Sequence, residues 1–238
     1  MNSNPHSIFY SFTGICYDKH TEVALIKHVK HGIAFLLLII IQQVPLMIVS
    51  GLTLLPKTQQ TTHLILVFGW LFLITTIGIT ALMWYYYQKI KSTRYDQPFT
   101  KQTWWTMLIG FIAMVAVNNG TIPFMHTTGN ANVDALTSVF QTIGIFMLPY
   151  ALFLGPIMEE LLFRGFLMNW FFPGTPIISI GLSAILFGLM HGATDPIYFI
   201  SKALLGLILA IVYYRTHNIK SNIALHMLNN ITAGFTIF

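Results

Sequence analysis

Residues 156–167, "PIMEELLFRGFL", place three ionisable side chains inside one of the most apolar parts of the chain. Two of them are adjacent glutamates, Glu159 and Glu160, and the third is Arg164. The rest of the sequence contains a single further glutamate, so the concentration of carboxylates here does not follow from composition. Charged groups in such surroundings either brace neighbouring helices as pairs or belong to a functional site, because an unpaired buried charge is costly.

The composition predicts an integral membrane protein. Of the 238 residues, 55% are hydrophobic and 8% are charged, and the mean hydropathy is +0.69. In soluble domains about a quarter of the residues are charged, so this composition argues against a soluble fold. The net charge of +5 is modest, and no basic aromatic platform or zinc-finger spacing is present in the sequence. We therefore expect a multi-pass cell-membrane protein in contact with the lipid bilayer, with no nucleic-acid partner.

Apolar windows long enough to cross a bilayer, roughly 20 residues each, recur along the chain. They fall at about 32–55, 63–87, 104–119, 137–171, 176–191, 197–214 and 220–238. The sequence thus predicts an all-α fold, a polytopic transmembrane helical bundle of about seven spans. A straight helix over 137–171 would measure about 52 Å, too long for one crossing, so we expect Pro149 and Pro156 to kink or break it. Counting that segment as two crossings would give eight spans.

Basic residues predict how the spans are oriented. With seven crossings, most lysines and arginines near span ends fall on one side, which the positive-inside rule assigns to the cytoplasm. These residues are Lys19, Lys27, Lys30, Lys89, Lys91, Arg94, Lys101, Arg215 and Lys220. Lys57 and Lys202 are the exceptions. We therefore expect a cytoplasmic N-terminus, with residues 1–31 as a cytoplasmic N-terminal segment.

Helix spacing divides the three charges of the opening stretch. Glu160 and Arg164 are four residues apart, so they share a helix face and are well placed for an ion pair. Glu159 is rotated by about 100° from its neighbour and remains available for another role. The alternative is that all three side chains only brace helices.

Two later spans carry further polar side chains. His191 closes "LFGLMH", four residues after Phe187, while His226 and Asn230 are four residues apart in the last span. Lipid cannot satisfy such groups, so the stripe in the last span should face the bundle interior. The simpler interpretations are that His191 is an interfacial residue and that the polar side chains of the last span form interhelical hydrogen bonds.

Together these residues supply the groups that peptide hydrolysis needs. Glu159 with His191 can hold and deprotonate a water molecule, and His226 with Asn230 can stabilise a developing oxyanion. Glu159, His191 and His226 could instead hold a zinc ion that activates the water. The sequence contains no HExxH motif, which favours a reaction that requires no cofactor and leaves zinc as the alternative.

Three short motifs carry a resemblance to a known family. "EELLFR" matches the pattern EExxxR, "FGLMH" matches FxxxH and "HMLNN" matches HxxxN, in that order and each on an apolar span. Over roughly residues 140–238 the chain resembles the CPBP family (CAAX protease and bacteriocin-processing, or Abi). This family is related to the Ras-converting CAAX prenyl endopeptidase. The resemblance implies an intramembrane protease, labelled a metalloprotease in some accounts and proposed to be glutamate-dependent in others.

The resemblance also implies a role for each matched residue. Glu159 would be the general base, acting with His191 on the attacking water, and His226 and Asn230 would form the oxyanion site. The supporting residues would be Glu160, Arg164 and Phe187. Residues 32–136 would then be an N-terminal transmembrane scaffold of about three spans, and 137–238 the catalytic transmembrane core.

The resemblance implies a membrane-embedded or lipid-associated protein or peptide as substrate, with bacteriocin immunity or maturation as one setting. Two other classes stay open: a transporter or proton relay that uses the buried Glu and His, and a non-catalytic immunity protein that binds a membrane partner. A rhomboid-like serine site fits poorly, because "GLSA" around Ser183 lacks the final glycine of GxSG. A presenilin-like site lacks its second aspartate, since Asp195 is the only one after Asp134.

One geometric conflict follows from a bundle of seven simple crossings. His191 would lie near the outer end of its span, whereas His226 would lie near the inner end of the last one. A shared site therefore requires either that the turn at 192–196 is sunk into the protein or that 137–171 re-enters the membrane. We expect a hydrated cavity bounded by that turn, with Asp195 either capping the following helix or contacting substrate.

Overall fold

The computed structural model describes most of the chain. The described residues are 9–10, 16–17, 19–91, 96–125, 131–172, 174–192 and 194–234. Two short strands, β1 (Phe9–Tyr10) and β2 (Cys16–Tyr17), pair antiparallel near the N-terminus. All the longer elements are helical, which confirms the predicted all-α membrane bundle.

Three long helices form the first part of the bundle. They are α1 (Lys19–Thr53), α2 (Thr62–Ile90) and α3 (Lys101–Thr121). Helix α1 begins at Lys19, well before the predicted span at 32. The second half of the expected N-terminal segment therefore belongs to the first membrane helix. Short 3₁₀ turns follow α1 and α3, at Lys57–Gln59 and Ile122–Phe124.

A single interrupted helical element occupies the centre of the bundle. It consists of α4 (Ala131–Pro149), a π-helical segment (Tyr150–Leu154), α5 (Gly155–Glu160), a second π-helical segment (Leu161–Leu167) and α6 (Met168–Trp170). The backbone kinks at Ile143, where φ is −124° and ψ is 31°. The prediction of a kinked long helix is therefore confirmed.

The two prolines of this element act differently from one another. The first π-helical segment starts directly after Pro149, as expected where a residue lacks an N–H and crowds the preceding turn. Pro156, which was expected to kink or break the element as well, lies in the first turn of α5 just after the π-helical segment, and the helix continues through it. Proline is tolerated there because its fixed φ suits the first turn of a helix.

The last three helices are α7 (Pro176–Met190), α8 (Pro196–Thr216) and α9 (Ile219–Gly234). Five helices of the described chain are long and apolar enough to cross a membrane: Leu25–Thr53, Thr62–Ile90, Lys101–Phe124, Val133–Trp170 and Pro196–Thr216. Helix α7 has 15 residues and is shorter than a full crossing of about 20, and α9 has 16 within the part of the chain that the structure describes. Helices thus occur at all seven predicted positions, and one of them, α7, is short.

The central element is the most deeply buried part of the molecule. Every side chain of Leu161–Leu167 is buried, including that of Arg164. Around it lies the larger of two apolar clusters, and the smaller one forms where α1, α2 and α4 meet, around Val49, Phe72 and Ile143. The charges of the opening stretch are therefore held at the centre of the bundle.

Candidate active site

Glu160 is the centre of a buried polar cluster. Its Oε1 accepts hydrogen bonds from Arg164 Nη1 at 3.0 Å and from His226 Nδ1 at 2.9 Å. Its Oε2 accepts one from Asn222 Nδ2 at 3.0 Å. Neither Glu160 nor Arg164 is exposed at all. The ion pair expected from the i,i+4 spacing is present, and two donors from α9 complete the coordination of the carboxylate, which reduces the cost of burying its charge.

Arg164 ties this cluster to α8. Its Nη2 donates to the carbonyl oxygen of Gly206 at 2.6 Å, and its guanidinium lies 5.0 Å from the centre of the Phe187 ring. A Cβ on Gly206 would lie only 2.8 Å from the Cβ of Phe187. The absence of a side chain at 206 therefore allows α8 to approach α7 closely enough for its backbone to bind the arginine.

Glu159, unlike the fully buried Glu160, is partly exposed. Its side chain is 23% exposed and lines a cavity, and its Oε2 lies 3.8 Å from Nε2 of His226. The residues that saturate Glu160 do not hydrogen bond to it. The rotation between adjacent helical positions thus leaves one carboxylate enclosed in a polar cluster and the other facing open space.

His226 lies between the two carboxylates. Because a carboxylate can only accept, the contact with Glu160 requires a hydrogen on Nδ1. This bond fixes the ring, so that Nε2 is directed towards Glu159 and the cavity. Glu160 is therefore the group that orients His226.

His191 is held by the helix that carries it. Its Nδ1 lies 2.7 Å from the carbonyl oxygen of Phe187, so this nitrogen donates and Nε2 keeps a free lone pair. The Phe187 ring lies 4.7 Å from the His191 ring and 5.7 Å from the His226 ring, measured between centres. The FxxxH spacing therefore fixes both the tautomer of one imidazole and an apolar contact with the other.

Asn230 binds the central element. Its Nδ2 donates to the carbonyl oxygen of Ala151 at 2.9 Å. In the π-helical segment, the N–H of Gly155 bonds to Tyr150, so the same pattern would pair Ala151 with Pro156, which has no N–H. Asn230 thus supplies the donor that the proline cannot, and its amide retains a second hydrogen.

All four side chains predicted to be catalytic line one cavity of about 250 Å³. They are Glu159, His191, His226 and Asn230. Phe187 also lines it, whereas Glu160 and Arg164 lie behind it in the protein. The remaining polar residues of its wall are Gln42, Gln43, Tyr150, Tyr198, Lys202 and Asn229. Residues of α1 therefore contribute to the same cavity as the three motifs.

The conflict between His191 and His226 is resolved by the shortness of α7. His191 follows the last residue of this 15-residue helix, which spans about 22 Å, so it need not reach the far surface. His191 and Tyr198, on either side of the turn at 192–196, both line the cavity. Asp195 caps α8, since its Oδ1 accepts from the N–H of Ile197 at 2.8 Å.

Several residues of the site were not assigned by the sequence. Asn222 lies one turn before His226, and its bond to Glu160 was not predicted. Gln42 and Gln43 were given no role, and Lys202 was noted only as an exception to the orientation rule. Ala151 and Gly206 gave no signal as polar partners, because they act through their carbonyl groups. A lysine within a span was the one available sign of a further group in the cavity.

The positions of the donor groups show whether the site could hold a metal ion. Among the residues that the structure describes, no three His, Cys, Asp or Glu side chains are grouped closely enough to hold a metal ion. The Nδ1 of His226 already donates to Glu160, which leaves Nε2 as its one open nitrogen. No step of the reaction proposed below therefore involves a metal.

Comparison with known proteins gives two matches. Residues 141–232 match the family described as type II CAAX prenyl endopeptidase Rce1-like. UPF0177 protein YvdC of Lactococcus lactis subsp. lactis (strain IL1403) is 24% identical over 206 residues, covering 78% of this chain and 73% of that protein. No solved structure matches.

The matched segment contains all three motifs and every side chain of the Glu160 cluster. The resemblance inferred from the motifs is thus confirmed. The chain is a multi-pass membrane protein whose residues 141–232 match the Rce1-like type II CAAX prenyl endopeptidases, a likeness that supports a CAAX-type intramembrane protease in general.

Proposed function

We propose that this protein is an intramembrane endopeptidase that hydrolyses a peptide bond of a membrane-associated protein or peptide, with Glu159 as general base. The observation that carries the proposal is the contrast between two adjacent carboxylates. Glu160 is saturated by three donors, while Glu159 faces the cavity with a histidine of fixed orientation 3.8 Å away. A purely structural pair would not require one member to remain open to a cavity.

The attacking water is held between Glu159 and Nε2 of His191, which both face the cavity. Glu159 takes one proton as the water oxygen bonds to the carbonyl carbon of the substrate. His191 accepts a hydrogen bond from the water through the lone pair that its bond to Phe187 leaves free. A tetrahedral intermediate with a negative oxygen results.

The negative oxygen is stabilised by His226 and Asn230. His226 donates from Nε2 in its imidazolium form, since Nδ1 is already committed to Glu160. The second amide hydrogen of Asn230 provides a further donor. The intermediate collapses as the C–N bond breaks, and the proton on Glu159 passes to the leaving amine.

The substrate that fits this site reaches it within the bilayer. The cavity is bounded by helices that carry apolar outer faces, so a membrane-embedded or lipid-associated peptide is the natural class. We propose maturation of, or immunity against, a bacteriocin-type peptide as the setting of this cleavage. The resemblance to prenyl endopeptidases makes a prenylated peptide the first alternative to include among test substrates.

Cleavage of a peptide library by the purified protein in detergent tests the proposal. We expect Glu159→Gln to lose at least about a hundredfold in rate, since general base catalysis contributes 10²–10⁴. Glu22→Gln, the matched change at the remaining glutamate, should cleave like wild type. Thermal unfolding of all three proteins shows whether the loss reflects chemistry or folding.

Full cleavage by Glu159→Gln would contradict its role as base. Retained protection against a bacteriocin by an inactive Glu159→Gln variant would favour a binding-only immunity protein. Ion flux that survives loss of cleavage would favour a transporter.

We propose that water activation does not require a metal. Cleavage that persists unchanged in a sample shown by metal analysis to be free of zinc supports this version. Loss of cleavage on chelation, with recovery on addition of zinc, would replace it with metal-assisted hydrolysis.

A further inference from the structure

Lys202 is a charged side chain in the cavity that the reaction above does not use. It lies six residues after Pro196, about 9 Å along α8, within one of the helices long enough to cross a membrane. Its side chain is half-buried and lines the same cavity as Glu159, His191 and His226. In the sequence it was an exception to the orientation rule, which its place in the cavity wall explains.

No ion pair joins Lys202 to a carboxylate of the described residues. Its Nζ lies 5.1 Å from the centre of the Tyr198 ring, a contact that a ring makes with a cation. Its charge attracts that of Glu159, whose Oε2 lies 3.8 Å from Nε2 of His226. Among the described wall residues Lys202 is the only lysine or arginine.

The surroundings make an ammonium group without a close anion costly. Helix α8 is apolar, and charged side chains inside membrane spans occur mainly where they meet a partner or a water-filled space. Arg164, which is also buried in this region, has its anion in Glu160. Lys202 has the corresponding charge without an ion pair at contact distance in the described residues, so a ligand in the cavity can supply the close anion.

We propose that Lys202 binds a carboxylate of the substrate and thereby determines which peptides the cavity accepts. This inference rests on the proposed peptidase function and adds a requirement for negative charge near the scissile bond. A compact ammonium with three donors suits a single carboxylate, which can come from the C-terminus of the peptide or from an Asp or Glu side chain. Lys202 acts in binding and takes no part in the proton transfers.

Peptide binding to the Glu159→Gln protein tests the proposal without requiring cleavage. Three fluorescein-labelled hexapeptides of leucine and alanine serve as probes: one with a free C-terminal carboxylate, one with a C-terminal amide, and an amide with one internal aspartate. Fluorescence anisotropy in detergent gives the dissociation constants. We expect one or both carboxylate peptides to bind roughly tenfold more tightly than the neutral amide. Whichever carboxylate gives the gain identifies the source.

Lys202→Met in the Glu159→Gln background should abolish that preference, while Lys202→Arg should keep most of it. Lys57→Met removes the same charge at an exposed position outside the cavity, and should leave the preference unchanged. Equal binding of all three peptides to the Glu159→Gln protein would overturn the proposal, as would a preference that survives in Lys202→Met.

Cleavage of the same peptides by the protein with Glu159 intact separates this inference from the proposed function. Carboxylate binding that depends on Lys202, without any cleavage, would support the anion site and count against the peptidase. Cleavage that ignores the carboxylate in both wild type and Lys202→Met would support the peptidase and overturn the role of Lys202.

Discussion

Helix α2 and the central element, with its partners α8 and α9, treat their buried polar groups in opposite ways. In α2, the hydroxyls of Thr76 and Thr80 donate to carbonyl groups one turn earlier in their own helix, at 2.7 and 2.8 Å. In the central element, Arg164 bonds across to α8, and Glu160 bonds across to Asn222 and His226 of α9. Polar groups satisfied within one helix leave the packing free to vary, whereas bonds between helices fix it. The candidate site lies where the bonds cross.

The largest expected effect comes from breaking the cross-helix cluster at its cation. Arg164→Met would leave the buried carboxylate of Glu160 without its ion pair, and such a loss costs about 3–5 kcal/mol in free energy of unfolding. Thr76→Val removes a hydroxyl satisfied within its own helix and should cost about 1 kcal/mol or less. Thermal or denaturant unfolding in detergent measures both. Equal stability of the two variants would remove the distinction between the regions.

A glycine in each region gives the next comparison. Gly206→Ala would press a methyl group against Phe187 and move α8 from α7, at a cost of about 1–3 kcal/mol. Gly78→Ala, in α2, meets no atom within 4 Å and should raise stability slightly, because alanine favours a helix by roughly 0.5–1 kcal/mol. Unfolding of both variants under the same conditions gives the sign of each change. A destabilised Gly78→Ala or an unaffected Gly206→Ala would contradict the packing described.

Asn230 separates structural from catalytic loss. Asn230→Ala would leave the carbonyl of Ala151 without a donor and cost about 1–3 kcal/mol, and it should also lower the rate of cleavage. Asn119→Ala is the matched control, because its amide bonds within its own helix and is exposed. Rate and unfolding are measured on each. A lower stability with an unchanged rate would confine Asn230 to a structural role.

The smallest effect concerns the loop between α2 and α3. The hydrogen bond from Lys91 holds the pKa of Asp96 below its ordinary value of 3.8. A carboxyl group with a lowered folded-state pKa stabilises the fold above its unfolded-state pKa, and this contribution is lost as pH falls through the folded-state pKa. Stability should therefore decline slightly below about pH 4, less so in Asp96→Asn. The pair is solvent-exposed, so added salt should reduce the difference.

Much of the fold could be predicted because it depends on local composition. Apolar windows located the helices, and the prolines marked an interrupted central element. The ends of the helices were predicted less well. Helix α1 starts earlier than expected, because polar residues continue a helix once it has formed. Whether Pro156 would kink the element or break it was not decided by the sequence, because the effect of a proline depends on where a helical turn begins.

The candidate site was predictable as a set of residues but not as a set of contacts. Spacing along one helix predicted the pair of Glu160 and Arg164, since both positions lie in the same stretch. It could not show that Glu160 also orients His226, 66 positions later in the chain. Nor could it show that Asn230 compensates for Pro156 through Ala151.

The sequence by itself determined the class of protein, the positions of its helices and the three motifs, because hydropathy and i,i+4 spacing act within single segments. Only the tertiary structure decided which polar groups meet. It bonded Glu160 to α9, left Glu159 exposed to the cavity and placed Lys202 in the cavity wall. The physical reason is that contacts between helices depend on how closely their backbones approach, as at Gly206, and this follows from the packing of the whole bundle.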